Sequence, residues 1–600
     1  MTLCNGRIVL SCLALVVMMS SMMTSVRSED DVPRLDVYRM IQYDEGDQHF
    51  GSRRFAVSMP AADPSQAGDL ARRVVVIDFN QLTEPVLDDL LNKNIGALLI
   101  ILPKDVEAVD VAELEQWKKV EHSLMGREIP VPVYFAFDGE HAQSLKDTIS
   151  SNAKNTQLVV SAQGTPNRAT GVQATNYQAL LDGTGEPGSS VEAPRIIAVV
   201  ANSDSLGVAP ELSVGADSNG SGMVALLQLA RMFHKLYTSS RMQGKYAMLF
   251  LLTGAGKQDY SGARHWLAST DPRILDRIEF ALCLDTIGGL AEGEEEGASK
   301  QLFVHSSKPA KDPSLTRVLS VLNGSAAQEG VSLTYVHKKI NISHPVVAWE
   351  HEQFSRKRIL ALTLSKHAHH NEGHRSSILD RTVDKEALKT NVLVVANALA
   401  RIVYSLQTSH DIFNGSYGIQ APFLEAWADL VAREPRMTAY VPDSADIFKK
   451  AEAVLVELAG EGLETAKQTF ALDKTRTFWT GASKGSVAVY SVRPISFDLV
   501  MSVAVVCYLL FLLVLLHLIS CSLQNFLRLS QSVRCKEQDI TYSTDTSSLH
   551  KFLFRLLKHR PPIRRLLPNP LHPRFLLLPV VFPEAKPKHA SALRVNFPLF

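Results

Sequence analysis

The side chains most able to do chemistry stand directly after three apolar runs that are typical of buried strands. Asn202 and Asp204 follow the first run, Lys257 follows the second, and Asp285 follows the third. Carboxylates are zinc ligands, and a zinc hydrolase also needs a base that accepts a proton from metal-bound water. A lysine ammonium would repel the metal ion. The carboxylates therefore raise metal-assisted hydrolysis as a hypothesis, and the lysine argues against it.

A glycine-rich turn at residues 215–222, with the sequence Gly-Ala-Asp-Ser-Asn-Gly-Ser-Gly, opens a predicted helix. Such a turn is a weak signal alone. In this order, however, the three strand ends and the turn resemble the M28 family of zinc aminopeptidases over roughly residues 190–405. The resemblance implies a site for zinc ions at the carboxyl ends of a parallel sheet, where side chains from several strands converge.

Carried over residue by residue, the resemblance implies that most of the family's ligands are missing. The first histidine ligand falls on Asn202, and the bridging aspartate falls on Ser218, with Asp217 one place too early. The Glu-Glu pair, which supplies the general base and a ligand, falls on Gly256 and Lys257. We therefore predict a pseudo-peptidase that has no catalytic residue, no bound metal and no cofactor.

The remaining ligand positions have ordinary structural interpretations. Asp285 matches an aspartate ligand, but we interpret it as a strand-end residue bound to backbone amides. The last histidine ligand matches His374, in a loop that also contains His367, His369 and His370, and we interpret this loop as solvated. Cys283 lies inside an apolar run, so we predict a buried small residue rather than a nucleophile.

Other segments resemble the non-catalytic relatives of these enzymes. Asp259-Tyr260-Ser261-Gly262 is similar to the Asp-Tyr-Ile-Gly motif of nicastrin, the M28-like subunit of γ-secretase. Across residues 35–523 the chain resembles the nicalin family of nicastrin-like proteins more closely. The segments that carry this resemblance include Val37-Tyr38-Arg39-Met40-Ile41-Gln42-Tyr43, Ala348-Trp349-Glu350-His351-Glu352 and Arg375-Ser376-Ser377-Ile378.

The nicalin resemblance implies a non-catalytic luminal scaffold subunit of the BOS complex in the endoplasmic reticulum membrane. Its implied partners are a NOMO-like luminal protein and a small multi-spanning membrane subunit, with the Sec translocon and the ribosome nearby during insertion of multi-pass membrane proteins. Modulation of Nodal-type signalling through a partner is a secondary implication. Two alternatives stay open, namely a substrate receptor of an intramembrane protease, as in nicastrin, and a residual zinc aminopeptidase.

The elements that must position these side chains are buried strands and amphipathic helices. Continuous apolar strands separated by helical stretches predict an α/β fold with a mostly parallel sheet that is flanked by helices. Helices are predicted over residues 223–237, 388–406, 421–434 and 445–470, and strand signals largely stop after residue 409. The predicted strands are residues 74–79, 97–102, 131–136, 158–161, 196–201, 247–252, 280–284 and 359–364.

Two apolar segments place the chain in the secretory pathway. The run at residues 8–19 follows Arg7 and is too short to span a bilayer, so a cleaved signal is favoured over an uncleaved anchor. Residues 499–519 contain no Asp, Glu, Lys or Arg and predict a transmembrane helix. Residues 520–600 carry 13 Lys or Arg against four acidic residues, which predicts a cytosolic tail and a single-pass type I protein.

The predicted organisation has six segments. The large domain has a single cysteine, Cys283, among the six in the chain, so it has no intramolecular disulfide. The 600 residues carry no net charge, which argues against DNA binding. The segments are a signal peptide (1–28), the N-terminal part of a luminal domain (29–185), an M28-like core (186–406), a membrane-proximal helical region (407–497), a transmembrane helix (499–519) and a basic, largely disordered cytosolic tail (520–600).

Four Asn-x-Ser sequons lie in the predicted luminal part. Asn219 belongs to the tight turn of the degenerate site, so we exclude it. A sequon is glycosylated only where the transferase can reach it, and we therefore predict glycans at Asn323 and Asn414, with Asn341 as a further candidate.

Overall fold

The computed structural model describes most of the chain before residue 540. The described residues are 34–64, 69–152, 156–185, 193–289, 300–344, 346–371, 375–406, 412–442, 444–459, 466–473, 475–491 and 495–540. The predicted signal peptide, His374 and the tail beyond residue 540 lie outside these residues. The chain divides into two compact units, Met1–Ile495 and Ser496–Phe600.

Within the ranges just given, the chain forms twenty strands and twelve α-helices with the following bounds. The strands are β1 (Arg34–Arg39), β2 (Gln42–Glu45), β3 (Gln48–Ser52), β4 (Val57–Ala62), β5 (Val74–Asp78), β6 (Ala97–Leu102), β7 (Glu128–Ile129), β8 (Val133–Phe137), β9 (Thr156–Ala162), β10 (Asn167–Arg168), β11 (Gln173–Leu181), β12 (Ile196–Asn202), β13 (Ala247–Thr253), β14 (Ile278–Leu284), β15 (Lys300–Ser306), β16 (Val331–His337), β17 (Ala361–Ser365), β18 (Ala466–Ala471), β19 (Arg476–Thr480) and β20 (Lys484–Ser491). The helices are α1 (Glu84–Asn92), α2 (Val111–Met125), α3 (Glu140–Asn152), α4 (Gly220–Tyr237), α5 (Ser261–Ser269), α6 (Pro272–Leu275), α7 (Pro313–Gln328), α8 (His351–Arg356), α9 (Lys385–Val403), α10 (Ala421–Val431), α11 (Asp446–Ala459) and α12 (Ile495–Ile540).

The predicted M28-like sheet is present as eight strands in the order β16-β15-β17-β14-β12-β13-β11-β18. The central strands β13, β12, β14 and β17 are mutually parallel, and β15 pairs with β16 in parallel. The remaining three pairings are antiparallel. The predicted α/β class is therefore confirmed, and the parallel strands form the centre of a mixed sheet.

Both faces of this sheet are buried, which explains why its central strands are apolar without alternation. In β12, Ile197, Val199 and Ala201 pack on the face that α4 and α9 cover. Ile196, Ala198 and Val200 pack on the opposite face, together with residues of α5 and α8. The carboxyl ends of the four parallel strands consequently meet at one buried edge.

Two smaller sheets surround this core. Seven strands form a closed sheet in the order β1-β20-β9-β4-β5-β6-β8, in which β8 pairs back to β1. Five short strands form a third sheet in the order β10-β19-β2-β3-β7. The last strands of the unit, β18, β19 and β20, thus pair with partners hundreds of residues earlier in the chain.

The predicted helical region at residues 407–497 is partly wrong. Helices α10 and α11 occur within it, but residues 466–491 form three strands, and the helix predicted over residues 445–470 ends at Ala459. The physical reason is pairing with distant strands. Ala466–Ala471 adds an edge strand to β11, and Lys484–Ser491 lies between β1 and β9. Such tertiary pairing overrides local propensity.

Helix α12 contains the predicted membrane segment. Among the described residues, one helix is long and apolar enough to cross a membrane, over Leu499–Gln531. Its 33 residues exceed the roughly 20 that a bilayer core requires. The start of the predicted disordered tail is also different, because residues 520–540 continue the helix.

A buried carboxyl joins α2 to two loops of the large unit. Glu121 is 3% exposed, and its Oε1 accepts the backbone N–H of Ile378 at 2.8 Å and that of Val208 at 3.4 Å. Burial raises the pKa of Glu121 to about 7. The carboxyl is therefore protonated in the folded protein at a pH where it ionises in the unfolded chain.

We predict that Glu121→Gln loses less stability than the wild type as the pH rises from 4.5 to 7. Because the folded-state pKa is raised, the carboxyl's stabilising contribution is complete below its unfolded pKa and disappears as the pH rises through about 7. The stability that the wild type loses over this pH range because of this carboxyl is on the order of 3 kcal/mol. Thermal unfolding of the purified protein against pH measures it, with the exposed Glu425→Gln as the control. Parallel pH profiles for wild type and Glu121→Gln would contradict the prediction.

Candidate functional site

The residues singled out by the sequence converge at the carboxyl edge of the parallel strands. Asn202 ends β12, Lys257 follows β13, and Asp285 follows β14. Ser218 lies in the turn before α4, with Asn219 as the residue that precedes the helix. The structure therefore brings together the described positions of the degenerate site, and His374 lies outside the described residues.

Asn202 fills the space beside Gly256. Its side chain is 1% exposed, and Asn219 Nδ2 donates to its backbone oxygen at 2.8 Å and also to its side-chain oxygen. A Cβ atom added to Gly256 would lie 2.1 Å from Asn202 Nδ2 and 2.4 Å from Asn202 Cβ. A glutamate base at position 256 is thus sterically incompatible with the present position of Asn202.

Lys257 and Ser218 contact each other where the family resemblance places the second glutamate of the Glu-Glu pair and a bridging aspartate. Lys257 Nζ donates to Ser218 Oγ at 3.0 Å. Burial lowers the pKa of Lys257 to about 8, and the nearby guanidinium of Arg375 acts in the same direction. The backbone N–H of Lys257 also donates to Asp204 Oδ2 at 3.2 Å, while Gly256 N donates to Asp204 Oδ1 at 2.6 Å.

Asp285 is bound by side chains rather than mainly by backbone amides. Arg375 Nη2 donates to its Oδ1 at 2.9 Å, and the hydroxyls of Thr286 and Ser365 each donate to its Oδ2 at 3.2 Å. Burial alone would raise the pKa of Asp285, but Arg375 and Lys257 outweigh it and lower the pKa to about 2. Our interpretation of its partners therefore requires correction, since the main one is a guanidinium.

Asp217 forms a second buried ion pair. Lys366 Nζ lies 2.7 Å from Asp217 Oδ2, and the side chains are 13% and 6% exposed. The N–H of Gly288 donates to Asp217 Oδ1 at 2.8 Å. Although burial opposes ionisation, Lys366 lowers the pKa of Asp217 below its ordinary value. Asp380 lies beside this pair, and its two oxygens accept the N–H groups of Asp217 and Ser218.

The prediction of a solvated histidine loop is wrong for His367. This residue is 3% exposed, and its backbone oxygen accepts a hydrogen bond from His305 Nε2 at 2.8 Å. Burial, with Lys366 second, lowers the pKa of His367 to about 3, so the imidazole is neutral. His369 is exposed and His370 is half-buried. Packing of the loop against β15 explains why His367 is buried.

Two aromatic side chains, Trp349 and Tyr260, contact the guanidinium of Arg375. Its guanidinium carbon lies 4.6 Å from the ring centre of Trp349, which stacks on His305 at 4.2 Å. Its Nη2 also donates to the Tyr260 hydroxyl at 3.0 Å. No sequence pattern assigned a role to Arg375 or Lys366. The available signal was that Asp285 follows a buried strand and that Asp217 lies in the buried turn before α4, where carboxylates require cations.

The donors present do not fit a zinc centre. Zinc needs about four N, S or O donors at close range, usually from histidine, cysteine and carboxylate. Asn202 and Ser218 are weak donors, Gly256 has no side chain, and both oxygens of Asp285 are engaged. Across the described part of the chain, no group of three or more His, Cys, Asp or Glu side chains is arranged to hold a metal ion.

Comparison with known proteins defines the class first. The family model "Peptidase family M28" matches residues 183–399. The solved structure of the γ-secretase component nicastrin aligns with a TM-score of 0.56 at 12% identity, covering 76% of this chain and 99% of that one. The fold is therefore that of an M28 peptidase-like domain, as the sequence predicted.

Relatives with similar sequences identify the family within that class. The human protein named "BOS complex subunit NCLN" is 34% identical over 507 residues, which cover 80% of this chain and 88% of that protein. The Caenorhabditis elegans protein named "Nicalin" is 26% identical over 518 residues, covering 79% and 88%. This chain belongs to the nicalin family.

The sequons differ in exposure. Asn219 is 1% exposed, whereas Asn323, Asn341 and Asn414 are exposed. Glycosylation at these three positions stays a prediction that this accessibility supports. Cys283 is buried in β14, as predicted, and burial raises the pKa of its thiol well above the ordinary value.

We predict that Gly256→Ala lowers the melting temperature because the new methyl group overlaps Asn202. Overpacking of this kind costs about 1–3 kcal/mol. Asn202→Gly in the same chain removes the overlapping atoms, so the double variant should be more stable than Gly256→Ala alone. Differential scanning fluorimetry measures both. Gly139→Ala is the matched control, because an added Cβ there meets nothing within 4 Å. Equal melting temperatures for Gly256→Ala and Gly139→Ala would contradict the clash.

Proposed function

We propose that this chain is a non-catalytic, membrane-anchored scaffold subunit of a BOS complex, with its large domain in the lumen of the endoplasmic reticulum. The support for the complex is the name of its relatives, such as the human protein named "BOS complex subunit NCLN". The alignment with that protein covers 80% of this chain at 34% identity. The support for the anchor is the apolar helix segment Leu499–Gln531. The basic residues after that segment favour a cytosolic tail.

The observation that carries the non-catalytic part is the contact between Asn202 and Gly256. Metal-dependent peptide hydrolysis requires ligands for the ion and a base for its water. Asn202 occupies the volume that a side chain at position 256 would need, and the next residue is the cation Lys257. The base and a ligand are therefore missing together, and restoring either one alone leaves the other absent.

The proposed partners are those that the family resemblance implies. They are a NOMO-like luminal protein, a small multi-spanning membrane subunit and, through them, the Sec translocon and the ribosome during multi-pass membrane protein insertion. The 13 basic residues after residue 520 offer charge that can meet anionic lipid or ribosomal RNA. Modulation of Nodal-type signalling would be a consequence of partner binding and not of catalysis.

We predict that single substitutions in the degenerate site leave aminopeptidase activity at background. Asn202→His adds one ligand and Lys257→Glu adds one carboxylate, and neither supplies the set that hydrolysis needs. Affinity purification of the full-length protein from cells, followed by identification of the bound subunits and an aminoacyl-substrate assay, measures assembly and activity on the same sample. Lys93→Glu, at an exposed residue directly after α1, is the control for a charge change.

The expected result is BOS-type subunits in the wild-type purification and no zinc-dependent hydrolysis in any sample. Zinc-dependent hydrolysis by the wild type would overturn the non-catalytic proposal. Recovery of intramembrane protease subunits instead of BOS subunits would support the receptor alternative.

We predict that protease added to sealed microsomes removes the tail after residue 520 and spares the large domain. The charge asymmetry across the apolar helix sets this orientation. Epitope tags placed after residue 29 and at the C-terminus report the two sides by immunoblot, and detergent opening of the vesicles supplies the control. A tail that survives in sealed vesicles would reverse the orientation.

A further inference from the structure

We propose that four buried cations of the protein itself have replaced metal ions as the charges that hold the strand ends of the degenerate site together. This inference concerns what stabilises the site and is independent of which partners the protein binds. It rests on charge balance, on the direct ion pairs and on the segments that the cations connect.

The site contains equal numbers of carboxylates and cations. None of the eight side chains is an exposed surface group, and Lys257, Lys366 and Arg375 are the partly accessible ones. The neighbouring Glu350 adds no charge near neutral pH, because burial raises its pKa to about 8. The carboxylates are Asp204, Asp217, Asp285 and Asp380, and the cations are Lys257, Lys366, Arg375 and Arg436.

Two of the cations make direct ion pairs with carboxylates. Arg375 lies 2.9 Å from Asp285, and Lys366 lies 2.7 Å from Asp217. Lys257 donates to Ser218 and lies within electrostatic range of Asp204, Asp285 and Asp380. A divalent ion added to this balanced cluster would have no uncompensated carboxylate to neutralise and would be repelled by the ammonium and guanidinium groups.

The cations connect the same chain segments that metal ligation would connect. Lys257 and Lys366 follow β13 and β17, next to the carboxylates that follow β12 and β14. Arg375 belongs to the loop between β17 and α9 and fastens that loop to the β14 end.

Arg436 connects the chain after α10 to the degenerate site. It is 1% exposed and donates to the carbonyl oxygens of Ser203, Val431 and Gly215, each at 2.9 Å. These contacts tie the turn before α4 and the end of β12 to the C-terminal part of the unit. The cluster thus spans segments from residue 203 to residue 436.

A buried ion pair of this kind has a characteristic mutational signature. Removing one partner leaves an uncompensated buried charge, whereas removing both leaves a neutral and much less costly site. A surface pair shows almost no effect in either case. A double-mutant cycle therefore distinguishes a buried counter-ion from a side chain that merely packs.

The experiment uses the full-length protein in detergent and compares Arg375→Met, Asp285→Asn and the double variant by thermal unfolding. We expect each single variant to lower the melting temperature by at least about 5 °C. The double variant should lose less than Arg375→Met alone. The control cycle is Lys93→Met with Asp89→Asn, an exposed pair at 2.7 Å, with changes within about 1 °C.

Two further measurements keep the outcome decisive. If Arg375→Met is not recovered in folded form, the yield of monodisperse protein replaces the melting temperature, and the double variant should restore that yield. The cycle of Lys366→Met with Asp217→Asn should show the same pattern. Zinc or a chelator should leave the wild-type melting temperature unchanged.

The inference is overturned if the single variants behave like the exposed control pair, or if the double variant is as unstable as the sum of the singles. Stabilisation of the wild type by zinc would also overturn it, because the cluster would then still depend on a metal. None of these outcomes changes which subunits co-purify, so failure here is distinguishable from failure of the proposed function.

Discussion

Burial of charge at the carboxyl ends of β12, β13, β14 and β17 is the constraint on which the rest of the large unit depends. Helices cover both faces of the sheet. The four aspartates at this edge, Asp204, Asp217, Asp285 and Asp380, are each at most 5% exposed. An unpaired carboxylate in such a place costs several kcal/mol. Cations from the loops after β17 and after α10 compensate this charge, and these cations are Arg375 and Arg436.

Complete burial of a strand makes it predictable from the sequence. The run at residues 196–201 is apolar at every position because β12 is covered on both faces, and it was predicted within one residue of its end. By contrast, Lys484–Ser491 was missed, because its formation depends on pairing with β1, more than 400 residues earlier. A window of sequence contains no information about such a partner, and the same holds for Ala466–Ala471 on β11.

The site was predictable in position and less so in its partners. The strand-end residues Asn202, Lys257 and Asp285 come together because parallel strands end at one edge, a rule that sequence order alone can apply. The identity of the cation on Asp285 depends on the path of an irregular loop, which has no periodicity to read. His367 was misjudged for the same reason, since its burial follows from the contact of its carbonyl oxygen with His305.

The retained acidic residues of this degenerate site have an explanation that involves no metal. Once a buried carboxylate such as Asp285 is paired with Arg375, loss of either residue alone leaves the other charge uncompensated. The pair therefore needs no catalytic role to be stable, because each partner stabilises the other. Asn202 and Gly256 are coupled sterically, because the Asn202 side chain occupies the space that a side chain at position 256 would need. Both oxygens of Asp285 are engaged by protein donors, so an acidic residue at a ligand position does not by itself indicate a metal site.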